Sequence, residues 1–150
     1  MTEIENFVRR SSRNPSLNLL NKKDVTNLIE KIKSDHKDTI ILKVKNHIFS
    51  DINSDVLNQI IESLNENSVC QALYLQNLSE AFRDEQLTNL LSLLKTKSIW
   101  CLNLGENYKI STRMWQTFCE ELESTFVTHL YVSEHVIAAK LKNRMREAIR

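Results

Sequence analysis

Ile99-Trp100-Cys101-Leu102-Asn103-Leu104-Gly105-Glu106-Asn107 is the stretch on which the fold turns. Leu102 and Leu104 alternate with polar or small residues, the two-residue period of a β-strand with one buried face. The form apolar-x-x-Leu-x-apolar returns at Cys70-x-x-Leu73-x-Leu75 and Val127-x-x-Leu130-x-Val132, and more weakly at Thr39-x-x-Leu42-x-Val44. The anchoring leucines Leu42, Leu73, Leu102 and Leu130 lie 31, 29 and 28 residues apart. A period near thirty marks a chain built from repeated supersecondary units.

Between the strand segments stand tetrads at the spacing i, i+3, i+4, i+7: Leu57/Ile60/Ile61/Leu64, Leu87/Leu90/Leu91/Leu94 and Trp115/Phe118/Cys119/Leu122. That spacing lines one stripe of an amphipathic helix. Ser54, Asp84 and Thr112, three residues before each tetrad, can bond an orphan N–H of the first turn, so they are expected as helix caps. Outside these units, Val25/Leu28/Ile29/Ile32 form another tetrad, and Leu141, Met145, Ala148 and Ile149 indicate a last helix. Leu17–Leu20 stand too close to the Val25 tetrad for a full unit, so 16–38 reads as a helical N-terminal cap.

Strand, cap and helix recurring together resemble the leucine-rich repeat, in its long ribonuclease-inhibitor type with a strand and an α-helix per unit. Residues 99–107 match the motif L-x-x-L-x-L-x-x-N, with isoleucine in its first position. The other units carry His47, Leu78 and His135 where that motif has asparagine, and none has the glycine common before the family's helix. Asn and Asp are therefore expected at left-handed turn positions. The resemblance implies an α/β fold: a short, curved solenoid with parallel strands on the concave face and helices on the convex face. The expected division is an N-terminal tail and helical cap over 1–38 and about four repeats over 39–150. An all-α repeat of helical hairpins is the alternative, but a two-residue apolar period fits one helix face poorly.

Composition narrows the function. In 150 residues, Gly105 and Pro15 are the only glycine and proline. A dinucleotide-binding fingerprint, a P-loop and a nucleophile elbow each need at least two glycines and are excluded. No run approaches the length of a membrane span, and the acidic start Met1–Asn6 lacks the apolar core of a signal peptide. With three cysteines, Cys70, Cys101 and Cys119, the chain is expected to be intracellular, in the cytoplasm, with reduced thiols. The charge is uneven: net +2 over 1–38, −5 over 39–139 and +4 over 140–150.

Catalytic and metal-binding readings are poorly supported. His36, His47, His129 and His135 form no metal-ligand spacing with one another or with the cysteines, so no metal or cofactor is expected. His47 and His135 instead suit the asparagine's role of bonding the turn backbone. Glu120, Glu121 and Glu123 read as a solvated helix face, and no serine sits in a nucleophile motif. The expected function is a non-catalytic protein-binding module. The resemblance places three rows outward on the concave face: Ile41, Ala72, Cys101, His129; then Lys43, Tyr74, Asn103, Tyr131; then Lys45, Gln76, Gly105, Ser133. Lys43, Lys45, Tyr74, Gln76, Asn103, His129, Tyr131 and Ser133 are the expected contact residues for another protein. The alternative is a nucleic acid or anionic surface bound by Lys140, Lys142, Arg144 and Arg146 of the basic last helix, although nucleic acid is the less favoured partner. Oligomerisation through an end of the solenoid is a further possibility the pattern leaves open.

Overall fold

The computed structural model describes residues 17–18, 22–45, 52–133 and 139–149. Strands and helices alternate: β1 (Leu17–Asn18), α1 (Lys22–Lys33), β2 (Ile41–Lys45), α2 (Ser54–Ser63), β3 (Ala72–Tyr74), α3 (Asp84–Leu94), β4 (Cys101–Asn103), α4 (Thr112–Glu121), β5 (His129–Tyr131) and α5 (Ala139–Ala148). All neighbouring strands pair in parallel and in chain order. A parallel neighbour demands a crossover, and α1, α2, α3 and α4 supply the four. The helical-hairpin alternative fails because 72–74 and 101–103 are strands. The segment at Leu17–Asn18, expected within a helical cap, is instead a short strand paired with Val44 and Lys45. Two residues are too few to show a period in sequence.

The core lies between strands and helices. Leu42, Leu73 and Leu102 are fully buried, as are the side chains of Val44, Leu75 and Leu104 in the next inward row. All three tetrads close over them, joined by Phe82, Ile52 and, from α1, Leu28 and Ile32. Leu130 and Val132, expected to be buried like their counterparts, are only half-buried. β5 is the outermost strand of the sheet, so no further strand among the described residues shelters them. At the C-terminal end, Leu141 and Met145 of α5 are buried in the same core.

Two buried asparagines tie neighbouring units together. Asn107 donates to the carbonyls of Leu75 (2.8 Å) and Leu104 (3.1 Å), and its Oδ1 accepts from the Leu78 N–H (2.8 Å). One side chain thus satisfies backbone groups of two turns, which buried in isolation would each cost about 1–3 kcal/mol. Leu78, standing at the asparagine position of its own unit, is fully buried, and its backbone is served by the next unit's Asn107. At the opposite ends of the strands, Asn67 donates to the Ile32 carbonyl and the Thr39 hydroxyl, and accepts from Val69 and Cys70 N–H groups.

The helix caps fall one residue earlier than the sequence pattern suggests. Asn53 and Ser111 are the capping residues, accepting from the N–H groups of Val56 (2.9 Å) and Met114 (3.1 Å). At α3, Arg83 occupies the cap position, and its N–H is taken by the Gln86 side chain. Ser54, Asp84 and Thr112 are first helical residues instead. Two of them bond across units. Asp84 accepts from both the N–H and the hydroxyl of Ser111, while Ser54 donates to the Ala81 carbonyl. Left-handed backbone occurs at Asp35, Asn77 and Glu106, with φ of 56°, 57° and 59°. The first two residue types tolerate it. Glu106 is held there by its N–H to the Ser133 hydroxyl and its carbonyl to the Ser79 hydroxyl. His47 and His135 lie outside the described residues.

Candidate binding face

The strand register aligns the rows as the repeat predicts. Ile41, Ala72, Cys101 and His129 are paired across the sheet, and so are Lys43, Tyr74, Asn103 and Tyr131. These residues flank the inward leucines and lie on the face turned away from the helices.

The first row departs from expectation. Ile41, Ala72 and Cys101 are 8%, 0% and 4% exposed, and form a second, smaller apolar cluster. Tyr74 and Trp100 pack against it. Small residues at 72 and 101 leave room for the two larger rings to reach back over the row. His129 stays half-buried, its ring 5.3 Å from Trp100 in an edge-on arrangement and its Nδ1 2.8 Å from the Thr128 hydroxyl. Trp100 was not singled out by the pattern, in which it occupies an unspecified position. A large aromatic next to a small-residue row is the signal that could have found it.

The second row is more accessible than the first. Tyr131 is 64% exposed, while Lys43, Tyr74 and Asn103 are half-buried. The Lys43 ammonium stands 5.3 Å above the centre of the Tyr74 ring, a cation–π arrangement. Tyr74 therefore supports the small cluster below it as well as facing outward. Asn103 also ties this row to the third: its Oδ1 accepts from the Gly105 N–H (2.9 Å) and its Nδ2 donates to Gln76 (3.3 Å). A side chain at Gly105 would start 3.1 Å from Asn103 Oδ1, with Gln76 and Ser133 close behind. The chain's one glycine thus serves close approach, and the left-handed position is its neighbour Glu106. Lys45 ends β2, and its side chain is outside the described atoms.

Actin-binding site 2 of leiomodin-1 superposes with a TM-score of 0.65 at 11% identity, covering 99% of this chain and 88% of that one. The C-terminal domain of Caenorhabditis elegans tropomodulin gives a TM-score of 0.49 at 15% identity, covering 84% and 91%. No family model and no curated protein matches the chain in sequence. The leiomodin likeness shows a shared α/β fold with a parallel sheet.

The basic last helix is less uniform than its sequence suggests. Arg144 and Arg146 are exposed, but Arg144 shares a cleft with Glu120, Glu123 and Glu147 beside Cys119. The side chains of Lys140 and Lys142 are outside the described atoms. Glu121 is paired with Lys95 at 2.9 Å. Among the described residues, no three of His, Cys, Asp and Glu come together to hold a metal. No described helix is long and apolar enough to cross a membrane.

All three cysteines are unpaired and buried. Burial pushes the Cys70 thiol up to about 12, and raises those of Cys101 and Cys119 as well. At Cys101 a hydrogen bond with the Tyr74 side chain opposes the rise. A thiol whose pKa is higher folded than unfolded contributes stability that is complete below the unfolded pKa and lost as pH climbs to the folded one. From the ordinary value of 9.0 to about 12, Cys70 should therefore cost the fold stability. The slope for this single thiol is about 1.4 kcal/mol per pH unit. Urea unfolding across that window should show Cys70→Ala losing less stability than the parent chain; parallel slopes would place the thiol in water.

Proposed function

We propose that this chain is a non-catalytic protein-binding module, built of leucine-rich repeats of the strand-plus-helix type, whose partner sits on the concave strand face. The observation that carries this is the Lys43, Tyr74, Asn103, Tyr131 row, held in register across four strands with Tyr131 the most exposed of the chain's large apolar residues described. Tyrosine offers large contact area at low entropy cost and a hydroxyl for a polar partner. Gln76, Ser133 and His129 border the row, and Lys45, the last residue of β2, is assigned to the same contact set. The three unpaired thiols fit work inside the cell, where they remain reduced.

Four strands about 4.8 Å apart span only about 15–20 Å. A stable complex buries about 800 Å² on each partner, so a tight partner also uses the rim. Exposed Phe126, immediately before β5, is suited to that. Because the structural neighbour is named for binding actin, actin is the first partner to test.

Tyr131→Ala is the clean variant, since its side chain is not part of either apolar cluster. Co-sedimentation with filamentous actin, and affinity purification from the native cell, should both show binding weakened by about 2 kcal/mol or more if Tyr131 is a hot spot. The unfolding midpoint should stay unchanged. Neutralising Lys140, Lys142, Arg144 and Arg146 should alter mainly the salt dependence. Loss of binding in that variant at physiological salt, with Tyr131→Ala normal, replaces the strand face with the basic helix as the site.

A further inference from the structure

The hydrogen bonds between strands repeat as regularly as the leucines. The carbonyl just before β2, β3 and β4 accepts two N–H groups from the strand that follows. Ile40 takes those of Gln71 and Ala72, Gln71 those of Trp100 and Cys101, and Trp100 those of Thr128 and His129, at 2.8–3.3 Å. Thr128 holds the fourth such carbonyl, and no strand among the described residues follows to donate to it. At the other strand end, the Leu75 and Leu104 N–H groups donate to Asn103 and Tyr131 of the next strand, and the Val132 N–H is their counterpart. Leu130 stands between. His129 and Tyr131 direct their backbone groups to β4, so those of Leu130 face the outer edge.

The side chains of this edge are equally uncovered. Leu42, Leu73, Leu102, Val44, Leu75 and Leu104 are at most 1% exposed, whereas Leu130 and Val132 are half-buried. Phe126 and Tyr131 are exposed beside them. Residues 124–133 contain no Asp, Glu, Lys, Arg, Pro or Gly. Charge, proline and bulges are the usual guards of a sheet edge, and β5, in regular register with β4, has none of them. Its shortness is no guard either, since β3 and β4 are as short and pair on both sides.

We propose that the outer edge of β5 takes an extended, uncharged segment of another protein as an added parallel strand, with aliphatic side chains at alternate positions. This goes beyond the strand-face reading and does not depend on it. In such additions the backbone bonds give affinity and the alternating side chains give specificity. The residue opposite Leu130 turns its side chain onto the core row and covers Leu130, while its two neighbours bond the Leu130 N–H and carbonyl. The uncharged edge selects an uncharged occupant, because a charge at a covering position is desolvated against Leu130 and Val132 with no counter-charge on the strand. A second copy meeting this edge about a two-fold axis pairs antiparallel instead.

The test uses the full chain and fluorescein-labelled peptides of one length and composition. One alternates leucine with serine, and a second gathers its leucines in one block. Two more alternate but carry backbone N-methyl groups, either on the serines or on the leucines. In a parallel addition the serine N–H groups face β5 and the leucine N–H groups face away. Fluorescence anisotropy should therefore show the alternating and leucine-methylated peptides binding about tenfold or more tighter than the block and serine-methylated ones. Val132→Lys, which sets a charge on the inward side of the edge, should remove this preference, with a melting curve to confirm the fold. In the unaltered chain, amide exchange should be fast at Leu130 and Val132 and slow at His129, and the alternating peptide should slow the first two. Equal affinities, no binding of any peptide, or slow exchange at Leu130 in the free monomer overturns the proposal. Loss of binding on leucine methylation instead means antiparallel pairing and rejects the parallel strand. A dimer by sedimentation that protects Leu130 and Val132 without peptide gives the edge to a second copy and rejects the proposed partner.

Discussion

Asn107→Ala should lower the unfolding free energy by about 3–5 kcal/mol, because three buried backbone groups lose the Asn107 side chain as a partner at once. They are the Leu75 and Leu104 carbonyls and the Leu78 N–H, in two successive turns. A loss of that size is a large share of the 5–15 kcal/mol that typically holds a domain. Two further variants separate hydrogen bonding from volume. Asn107→Leu restores bulk without donors or acceptors and should remain nearly as destabilised as the alanine variant. Asn107→Asp can accept from Leu78 but cannot donate to the carbonyls when ionised, and it buries a charge. Urea unfolding provides the measurement. If leucine restores most of the stability, cavity filling outweighs the polar ties and the role assigned to Asn107 is wrong.

The second large effect concerns the inward leucine row. Leu102→Ala should cost about 2–5 kcal/mol, the range for truncating a buried leucine. Leu102 is fully buried, with β3 on one side and β5 on the other. Leu130→Ala removes the same atoms from the outer strand, where the side chain is half-buried, and should cost distinctly less. Denaturation of the pair under identical conditions tests the row by its gradient. A loss below about 0.5 kcal/mol at Leu102, or a larger loss at Leu130, contradicts the burial described here.

The strand alternation at Leu73/Leu75 and Leu102/Leu104 and the helical tetrads were legible in sequence because both follow from local backbone geometry. Side chains alternate across a strand and return every 3.6 residues on a helix, whatever the rest of the chain does. The row partners were legible as well, since equal repeats bring equal positions side by side. Locating the caps took more than spacing. Asn53 and Ser111 cap their helices, while Asp84 and Ser54 bond to units 27 residues further along. A short polar side chain next to a helix start suits either use, and only the neighbouring turn selects between them.

By itself, the sequence determined the α/β alternation, the parallel register and the residues that line each face. Tertiary structure decided which members of a face meet solvent. Ile41, Ala72 and Cys101 share a face with Tyr131, yet they are buried and Tyr131 is not. Period two assigns a side chain to a face; the reach of the Tyr74 and Trp100 rings over small neighbours determines whether that face is covered. The same distinction holds for Asn107, whose place in the motif is visible in nine residues. Its partners at Leu75 and Leu78 belong to the preceding unit and meet it only when the strands stack. Periodicity is a property of the local backbone, whereas burial and hydrogen-bond satisfaction depend on residues about thirty positions away.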